Sequence, residues 1–237
     1  MRVVILGSGN VATHLSRALH KAGVSIAQIF SRNLTSAQLL ANEVNAVFCN
    51  ITDSIIPNAD VYIYAIKDDA ISHLIDKVTN KKGIHIHVSG STNISIFDNK
   101  KQHYGVIYPL QTLSKNKTID FCTVPLFVEA NSEASMKVIW EMSNKISGNV
   151  RKIDSKQRQS LHVAAVFACN FNNFLCNIAH DILENNNLEF ELLQPLIAET
   201  AAKLQTMLPY EAQTGPAVRF DKQIIDKHID FLSNNED

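Results

Sequence analysis

A glycine-containing turn near the start of the chain has the residue types and spacing of a phosphate-binding site. The sequence of residues 7 to 12 is G-S-G-N-V-A, and it follows the β-rich run Val3–Leu6 and opens a helical pattern. The first glycine permits a tight turn, the second lets a phosphate approach the backbone, and the alanine allows close packing of helix on strand. The helix N-terminus offers unpaired N–H groups to an anion. The motif therefore predicts a dinucleotide pyrophosphate site formed by Gly7, Ser8, Gly9, Asn10, Val11 and Ala12.

The residues after the second predicted strand discriminate among the ligands that such a turn can bind. Sites for NAD or S-adenosylmethionine place an acidic residue there to bind ribose hydroxyls. This sequence has Ser31 and Arg32 instead. A hydroxyl and a guanidinium suit a 2′-phosphate, and the guanidinium can also stack on adenine. We therefore predict NADP as the cofactor, with a solvated loop cation as the alternative role of Arg32.

The ends of the fourth and fifth predicted strands indicate where the reactive end of that cofactor would lie. A dinucleotide lies across the carboxyl ends of parallel strands, so Ala65 and Ile66 are expected beside the nicotinamide ribose. The following acids, Asp68 and Asp69, are interpreted as the start of the next helix, where negative charge is favourable.

The fifth strand leads into the hydroxyl-rich turn V-S-G-S, which ends at Ser91. We predict Ser89 as a cofactor-binding residue and Ser91 as a catalytic residue, with both hydroxyls orienting a substrate oxygen. The alternative is a turn that only caps the segment after it.

A polar stripe interrupts the apolar face of the helical pattern over residues 155–187. At the α-helical spacing, His162 and Asn173 lie about 20° apart around the axis, and Asn170 lies one turn from Asn173. Histidine is the side chain that ordinarily exchanges a proton near neutral pH. We predict His162 and Asn170 as catalytic residues, and a hydrogen-bonded core histidine is the alternative for His162.

These motifs must be positioned by two regions of different character. Residues 1–153 alternate β-rich and helical runs, and the first five strands are rich in Val and Ile and mostly apolar, which favours a sheet covered on both faces. Residues 154–237 contain only helical patterns, over 155–187, 191–208 and 222–232. The sequence predicts an α/β fold, a doubly wound Rossmann domain followed by an all-α C-terminal domain. The predicted strands are Val3–Leu6, Ser25–Phe30, Ala46–Cys49, Val61–Ile66, Ile84–Val88, Gly105–Tyr108, Leu126–Glu129 and Val150–Ile153.

The charge balance and the cysteine content of the chain limit the kinds of molecule that we expect it to bind. The 237 residues contain 22 Lys and Arg against 23 Asp and Glu, whereas binders of nucleic acid or anionic membranes need a basic excess. The four cysteines form no CxxC pair, so a zinc ribbon is excluded and a reduced, cytoplasmic protein is expected. We expect a small-molecule substrate, no resident metal, and neither a nucleic-acid nor a membrane partner.

Four motifs, taken together and in order, resemble those of a known family. They are the glycine turn with Ser31 and Arg32, H-V-S-G-S at 87–91, Y-P-L-Q-T at 108–112 and G-P-A-V-R at 215–219. This set is similar to bacterial Rossmann-like proteins with a DUF2520 C-terminal domain, relatives of F420-dependent NADP oxidoreductases, pyrroline-5-carboxylate reductases and β-hydroxyacid dehydrogenases. The resemblance implies an N-terminal NADP-binding domain (1–153), a helical substrate and dimerisation domain (154–237), and an active site in the cleft between them.

Two positions depart from these relatives. The catalytic lysine of the β-hydroxyacid dehydrogenases has no counterpart, because Cys169 stands at that position, and Tyr108 stands where the family most often has histidine. The sequence predicts an NADP-dependent oxidoreductase that transfers hydride between nicotinamide and a small carbonyl or imine substrate, working as a homodimer. A non-catalytic NADP-binding sensor or scaffold is the alternative, and the missing lysine favours it.

Overall fold

The computed structural model describes residues 1–79 and 82–233. The chain divides into two compact units, Met1–Phe171 and Asn172–Asp237. The sequence prediction places the domain boundary at 153/154, so the two divisions differ in where they assign the first half of the long helical run. That half belongs to the first unit, to which a buried arginine ties it, as described below.

The first unit is built on an eight-stranded sheet with the order β3-β2-β1-β4-β5-β6-β7-β8. Strands β1 to β6 are parallel, β7 is antiparallel to β6, and β8 is parallel to β7. All eight predicted strands are present, and the doubly wound class is confirmed. Their bounds are β1 Arg2–Leu6, β2 Ser25–Phe30, β3 Val47–Cys49, β4 Val61–Tyr64, β5 Ile84–His87, β6 His103–Pro109, β7 Leu126–Ala130 and β8 Val150–Lys152.

In the part of the first unit that the structure describes, five α-helices connect or follow these strands. Side chains at the N-caps stabilise three of them by accepting backbone N–H bonds: Asn33 before α2, Ser132 before α4 and Asp154 before α5. The last of these forms a capping box with Gln157. The helices are α1 Asn10–Lys21, α2 Leu34–Glu43, α3 Asp68–Lys77, α4 Glu133–Asn144 and α5 Ser155–Ala165.

Apolar side chains cover both faces of the sheet. In β1, Val3 and Ile5 belong to one buried cluster, whereas Val4 and Leu6 belong to another. All four are completely buried. Because successive side chains of a strand point to opposite faces, a strand between two helical layers is apolar at most of its positions. This pattern explains why the continuous apolar runs predicted the class of sheet correctly.

The long helical run after β8 is not a uniform α-helix. A π-helical segment, Val166–Phe171, separates α5 from α6, Asn172–Asn185. The 31-residue run Ser155–Asn185 is the one helix of the described residues that is long and apolar enough to cross a membrane, by length and composition alone. Helices of soluble proteins meet the same criteria, so the expectation of no membrane partner stays a prediction.

The second unit consists of helices with irregular connections. After α6 come a 3-10 turn at Phe190–Leu193, α7 at Gln194–Lys203, α8 at Pro209–Ala212 and α9 at Lys222–Ser233. Pro195 lies in the first turn of α7, where its missing N–H costs no helical bond. The single helix predicted over 191–208 is thus observed as a 3-10 turn followed by the shorter helix α7, which ends at Lys203.

Candidate active site

A cavity of about 780 Å³ opens at the carboxyl ends of the first, second and fourth strands. The sequence-predicted cofactor residues lie along its wall, with two exceptions. Ala12 is completely buried beneath the helix, where it allows the close packing that the motif requires, and Ser89 is not part of the wall. The predicted residues that line the cavity are Gly7, Ser8, Gly9, Asn10, Val11, Ser31, Arg32, Ala65 and Ile66.

Gly7 fits between two neighbouring strands at the base of this cavity. Its N–H donates to the carbonyl of Phe30 at 2.7 Å, and its φ of +132° is one that side chains other than glycine rarely adopt. A Cβ placed there would lie 2.1 Å from the carbonyl oxygen of Ala65. The turn therefore depends on this glycine before any ligand is considered.

Gly9 has a different environment. It is the N-cap of α1 without a side-chain cap, and a Cβ added to it would meet nothing within 4 Å. The first N–H groups of α1 have no acceptor within their own helix. An uncapped helix N-terminus that faces an open cavity can bind a phosphate. These residues therefore fit the pyrophosphate of a dinucleotide.

Polar groups at the end of β2 complete the same wall. The hydroxyl of Ser8 donates to that of Ser31 at 2.8 Å, so the glycine turn and the β2 end are joined directly. Arg32 follows as an exposed cation on the cavity wall. Its guanidinium is accessible to solvent and can bind an anionic group of a ligand.

Sequence reasoning missed several residues of this cavity. Asn50, Ile51 and Thr52 follow β3, and Lys67 and His73 come from the start and the middle of α3. The third strand neighbours the second in the sheet, so its carboxyl end opens on the same edge. Reading the ends of all the parallel strands, and not only of four, would have found the first three.

The turn after β5 is an internally bonded unit with an acid at its centre. The hydroxyl of Ser89 donates to Oδ2 of Asp68 at 2.7 Å, and the hydroxyl of Ser91 donates to the same oxygen. In turn, Oγ of Ser89 accepts the N–H groups of Ser91 at 3.2 Å and of Thr92 at 2.9 Å. Asp68 thus begins α3, as expected, but it also binds both serines. We call Asp68, Ser89, Gly90 and Ser91 the acidic serine turn.

His87 lies beneath this turn and is fully buried. The N–H of Ser89 donates to its Nδ1 at 3.2 Å, while its Nε2 has no hydrogen-bond partner among the described residues. Burial lowers the pKa of His87 to about 3, with a smaller lowering by the charge of Arg158. His87 is therefore neutral at physiological pH and does not exchange protons.

His162, on α5, lies directly against the acidic serine turn. A Cβ added to Gly90 would be 2.6 Å from Cγ and Nδ1 of the imidazole, so only glycine lets the ring approach this closely. Tyr108 is within hydrogen-bond distance of the ring, its Oη lying 3.0 Å from Nδ1. Burial raises the pKa of the Tyr108 phenol. Tyr108, which stands where the family most often has histidine, is thus a hydrogen-bonding partner of the candidate catalytic histidine.

A buried ion pair ties the start of α5 to the segment beyond the turn. Arg158 is 1% exposed, pairs with the carboxylate of Glu129 on β7, and donates to the carbonyl of Thr92 at 2.5 Å. The hydroxyl of Ser155 joins the same carboxylate, donating to its Oε2 at 2.9 Å, and accepts the N–H of Ile94 at 3.1 Å. A cation in the first turn of a helix is ordinarily solvated, but Arg158 is buried because its partner lies on a distant strand.

Asn170 is not brought to the acidic serine turn by any hydrogen bond of the described residues. It is exposed within the π segment, where the α-helical spacing assumed from His162 does not hold. Its catalytic role stays a prediction. Within the described residues, one group could hold a metal, the exposed His180, Asp181 and Glu184. Exposed groups of this kind are common without an ion, so the group does not indicate a metal centre.

Comparison with known families extends this picture to nearly the whole chain. The model of coenzyme F420-dependent NADP oxidoreductases matches residues 2–93, and the model of the domain of unknown function DUF2520 matches residues 124–237. A search of curated proteins finds no match.

Solved structures agree with the family matches. The Bacteroides fragilis protein BF3122, provisionally named an NADP oxidoreductase, is 38% identical over 99% of this chain and 92% of its own, with a TM-score of 0.94. The Thermotoga maritima protein TM1727 is 22% identical over 95% and 88% of the two chains, with a TM-score of 0.80. An imine reductase from Myxococcus stipitatus, solved with NADP⁺, is 15% identical over 86% and 77%, with a TM-score of 0.64. The last two show the shared fold alone.

The chain belongs to the family of Rossmann-like oxidoreductases with a DUF2520 C-terminal region. The resemblance inferred from the four motifs is confirmed, and the homology supports a general oxidoreductase role with a nicotinamide cofactor.

Proposed function

We propose that this protein is an NADP-dependent oxidoreductase that transfers hydride between the nicotinamide and a small carbonyl or imine substrate. The supporting observation is the cavity in which the uncapped N-terminus of α1 and Arg32 share one wall. A pyrophosphate would bind the free N–H groups, and the 2′-phosphate would bind the guanidinium.

The cofactor supplies or accepts the hydride, and the chain supplies binding and position. Ala65, Ile66 and Val88 line the cavity where β4 and β5 end, so they are the proposed contacts of the nicotinamide side. Ser89 follows Val88 directly in the sequence, and Asp68 comes two residues after Ile66. The substrate would therefore lie beside the acidic serine turn.

His162 is the proposed proton donor and acceptor for the substrate. The hydroxyl of Tyr108 lies within hydrogen-bond distance of Nδ1, which leaves Nε2 for exchange with a substrate oxygen or nitrogen. The close contact with Gly90 holds the ring against the acidic serine turn. Ser91 would orient the substrate from the other side of the turn.

Turnover with a panel of small ketones, aldehydes and cyclic imines tests this function. We expect NADPH oxidation with at least one member, and a strong loss in His162→Ala but not in His228→Ala, a histidine exposed on α9. Full turnover by His162→Ala would remove this residue from the mechanism. Tight binding of NADPH with no turnover across the panel would instead favour the sensor or scaffold.

We further propose that the second unit is completed by a second copy of the chain. No side chain in its described residues, 172–233, is buried, although Phe174, Leu175 and Ile178 on α6 are large, apolar and exposed. A helical unit of this size needs a buried apolar core to be stable, and closed twofold association is the commonest way to obtain one.

Light scattering after size-exclusion chromatography tests the dimer. We expect twice the chain mass of 26.4 kDa for the wild type and a shift towards monomer for Leu175→Arg. Leu39→Arg, at an exposed site on α2, is the matched control and should stay dimeric. A wild-type monomer at micromolar concentration would refute the proposal, as would association only with detergent or lipid.

A further inference from the structure

The N–H and O–H donors of Ser89 and Ser91 in the acidic serine turn are bonded to acceptors of the turn itself or of His87. The N–H of Ser89 is used by His87, and the N–H groups of Ser91 and Thr92 are used by Oγ of Ser89. The hydroxyl protons of Ser89 and Ser91 both point to Asp68. These donors are therefore satisfied within the turn itself.

Among the side chains of the turn, the atoms that remain for a ligand are acceptors. Oγ of Ser89 already donates once and accepts twice, so its capacity is filled, whereas Ser91 keeps lone pairs. Asp68 is exposed, and both serine bonds go to its Oδ2, which leaves Oδ1 for another donor. An exposed aspartate is negatively charged at neutral pH. A ligand at this turn thus meets a carboxylate and a hydroxyl oxygen.

Other charged groups near the turn do not cancel the negative charge of Asp68. The buried guanidinium of Arg158 is paired with Glu129, and Lys67 lines the nucleotide cavity and is followed in sequence by two acids, Asp68 and Asp69. Carbonyl oxygens and carboxylates need donors, and a carboxylate would also be repelled by Asp68. A nitrogen that carries both a proton and a positive charge matches the acceptors that the turn presents.

We propose that the acidic serine turn binds a cationic N–H group, so that the substrate of the hydride transfer is a protonated cyclic or acyclic imine and its product the corresponding amine. This proposal rests on the proposed function and narrows its substrate class. Asp68 and Ser91 accept from the nitrogen, and His162, across Gly90, is placed to supply the proton when the imine arrives neutral.

The chemistry balances with NADPH as the reductant. Hydride with its electron pair forms a new C–H bond at the imine carbon, and NADPH becomes NADP⁺. The π electrons of the C=N⁺ bond become the lone pair of the amine nitrogen. The nitrogen keeps its own proton, which is donated in a hydrogen bond to Asp68 or Ser91. In the reverse direction the amine is oxidised and NADP⁺ accepts the hydride. Asp68 stabilises the positive charge on the imine side of this equilibrium.

Binding of matched five-membered rings tests the proposal without turnover. Pyrrolidine, cyclopentanol and cyclopentanecarboxylate are titrated by ligand-observed NMR into protein saturated with NADP⁺ and into free protein. A charge-assisted hydrogen bond predicts that pyrrolidinium binds at least about tenfold more tightly than cyclopentanol. Asp68→Asn should abolish this preference, Ser91→Ala should reduce it, and Asp69→Asn, at the adjacent exposed acid, should leave it unchanged.

Several outcomes would overturn the proposal. They are equal or tighter binding of the alcohol or the carboxylate, no binding of pyrrolidinium, or a preference that survives in Asp68→Asn. If Asp68→Asn does not fold, as judged by circular dichroism, Ser91→Ala decides by keeping or losing part of the preference.

Activity gives a second readout that separates this proposal from the proposed function. We expect 2-methyl-1-pyrroline to be reduced at least tenfold more efficiently than cyclopentanone, with the difference smaller in Asp68→Asn. Faster reduction of cyclopentanone would sink the imine assignment while the oxidoreductase proposal stands. Absence of NADPH binding would sink the oxidoreductase proposal, whereas the NMR preference of the free protein would still test the cation site.

Discussion

The hydroxyl of Tyr108 lies 3.0 Å from Nδ1 of His162, although the two residues are 54 positions apart in the chain. The tyrosine is at the end of β6 and the histidine is on α5. Their rings meet edge to face, with centroids 5.9 Å apart. The bond restricts the imidazole to an orientation beside Gly90, so a tyrosine here can hold a catalytic histidine in place.

Tyr108→Phe should keep the ring packing and remove only this bond. A neutral hydrogen bond has a net value of about 0.5–1.5 kcal/mol, so we expect kcat to fall by about two- to tenfold with little change in KM for NADPH. The pH dependence of kcat should also shift, because the imidazole of His162 loses its hydrogen-bond partner at Nδ1. Steady-state kinetics over a pH series would measure both, and Tyr210→Phe, at an exposed site, is the control. An unchanged profile would mean that Tyr108 only packs.

Two glycines of the first turn should respond differently to alanine. Gly7→Ala places a Cβ 2.1 Å from a backbone carbonyl at a φ of +132°, so we expect a loss of at least about 2 kcal/mol in the free energy of unfolding. Gly9→Ala points into open space and should change stability by less than about 0.5 kcal/mol. Its NADPH affinity should nevertheless fall at least tenfold, because the methyl group lies where the phosphate approaches. Urea unfolding and calorimetry distinguish the two effects, and normal nucleotide affinity in Gly9→Ala would contradict the site.

The buried pair of Arg158 and Glu129 should be needed for stability. Arg158→Met leaves a carboxylate without its partner, and we expect a loss of roughly 3–5 kcal/mol in the free energy of unfolding. Adding Glu129→Met should recover part of it, since no uncompensated charge remains. The exposed pair of Lys100 and Asp76, 3.0 Å apart, is the control, and Lys100→Met should cost less than about 1 kcal/mol. Equal losses in the two single variants, measured in urea, would show that burial of Arg158 has no special cost.

His87 should make the fold less stable in acid. Its pKa is about 3 when buried and near the ordinary 6.5 when the chain unfolds. Between these values the unfolded chain binds a proton that the folded chain does not, so the free energy of unfolding falls as pH falls below 6.5. The contribution is up to about 1.4 kcal/mol per pH unit, and stability is unaffected by this group above that range. Urea unfolding from about pH 7 to pH 4.5 should give a flatter profile for His87→Asn than for the wild type or for His228→Asn. Parallel profiles for all three would refute the neutral, buried state of His87.

The sheet and the nucleotide cavity could be predicted because their determinants are local. Val3 to Leu6 are apolar at every position, and Gly7 and Gly9 follow in a spacing that few other structures need. Arg32 was found because the end of the second strand has a fixed place beside that turn.

The chemistry beside the nicotinamide end could not be predicted to the same extent. Asp68 and Ser89 are 21 positions apart, and Arg158 and Glu129 are 29 apart, so their contacts depend on which strands are neighbours and on where α5 docks. Single-sequence periodicity gives neither. The π segment that contains Asn170 also changes the helical spacing, and no residue type in it signals this in advance.

The proposed function depends on NADP binding at the opening turn of α1, with its 2′-phosphate on Arg32. Calorimetric titration of NADPH and NADH into the wild type, Arg32→Ala and the surface control Lys21→Ala tests it most directly. We expect the wild type and Lys21→Ala to bind NADPH at least tenfold more tightly than NADH, and Arg32→Ala to bind the two alike. An Arg32→Ala protein that keeps the preference, or a wild type with no affinity for either nucleotide, would contradict the claim.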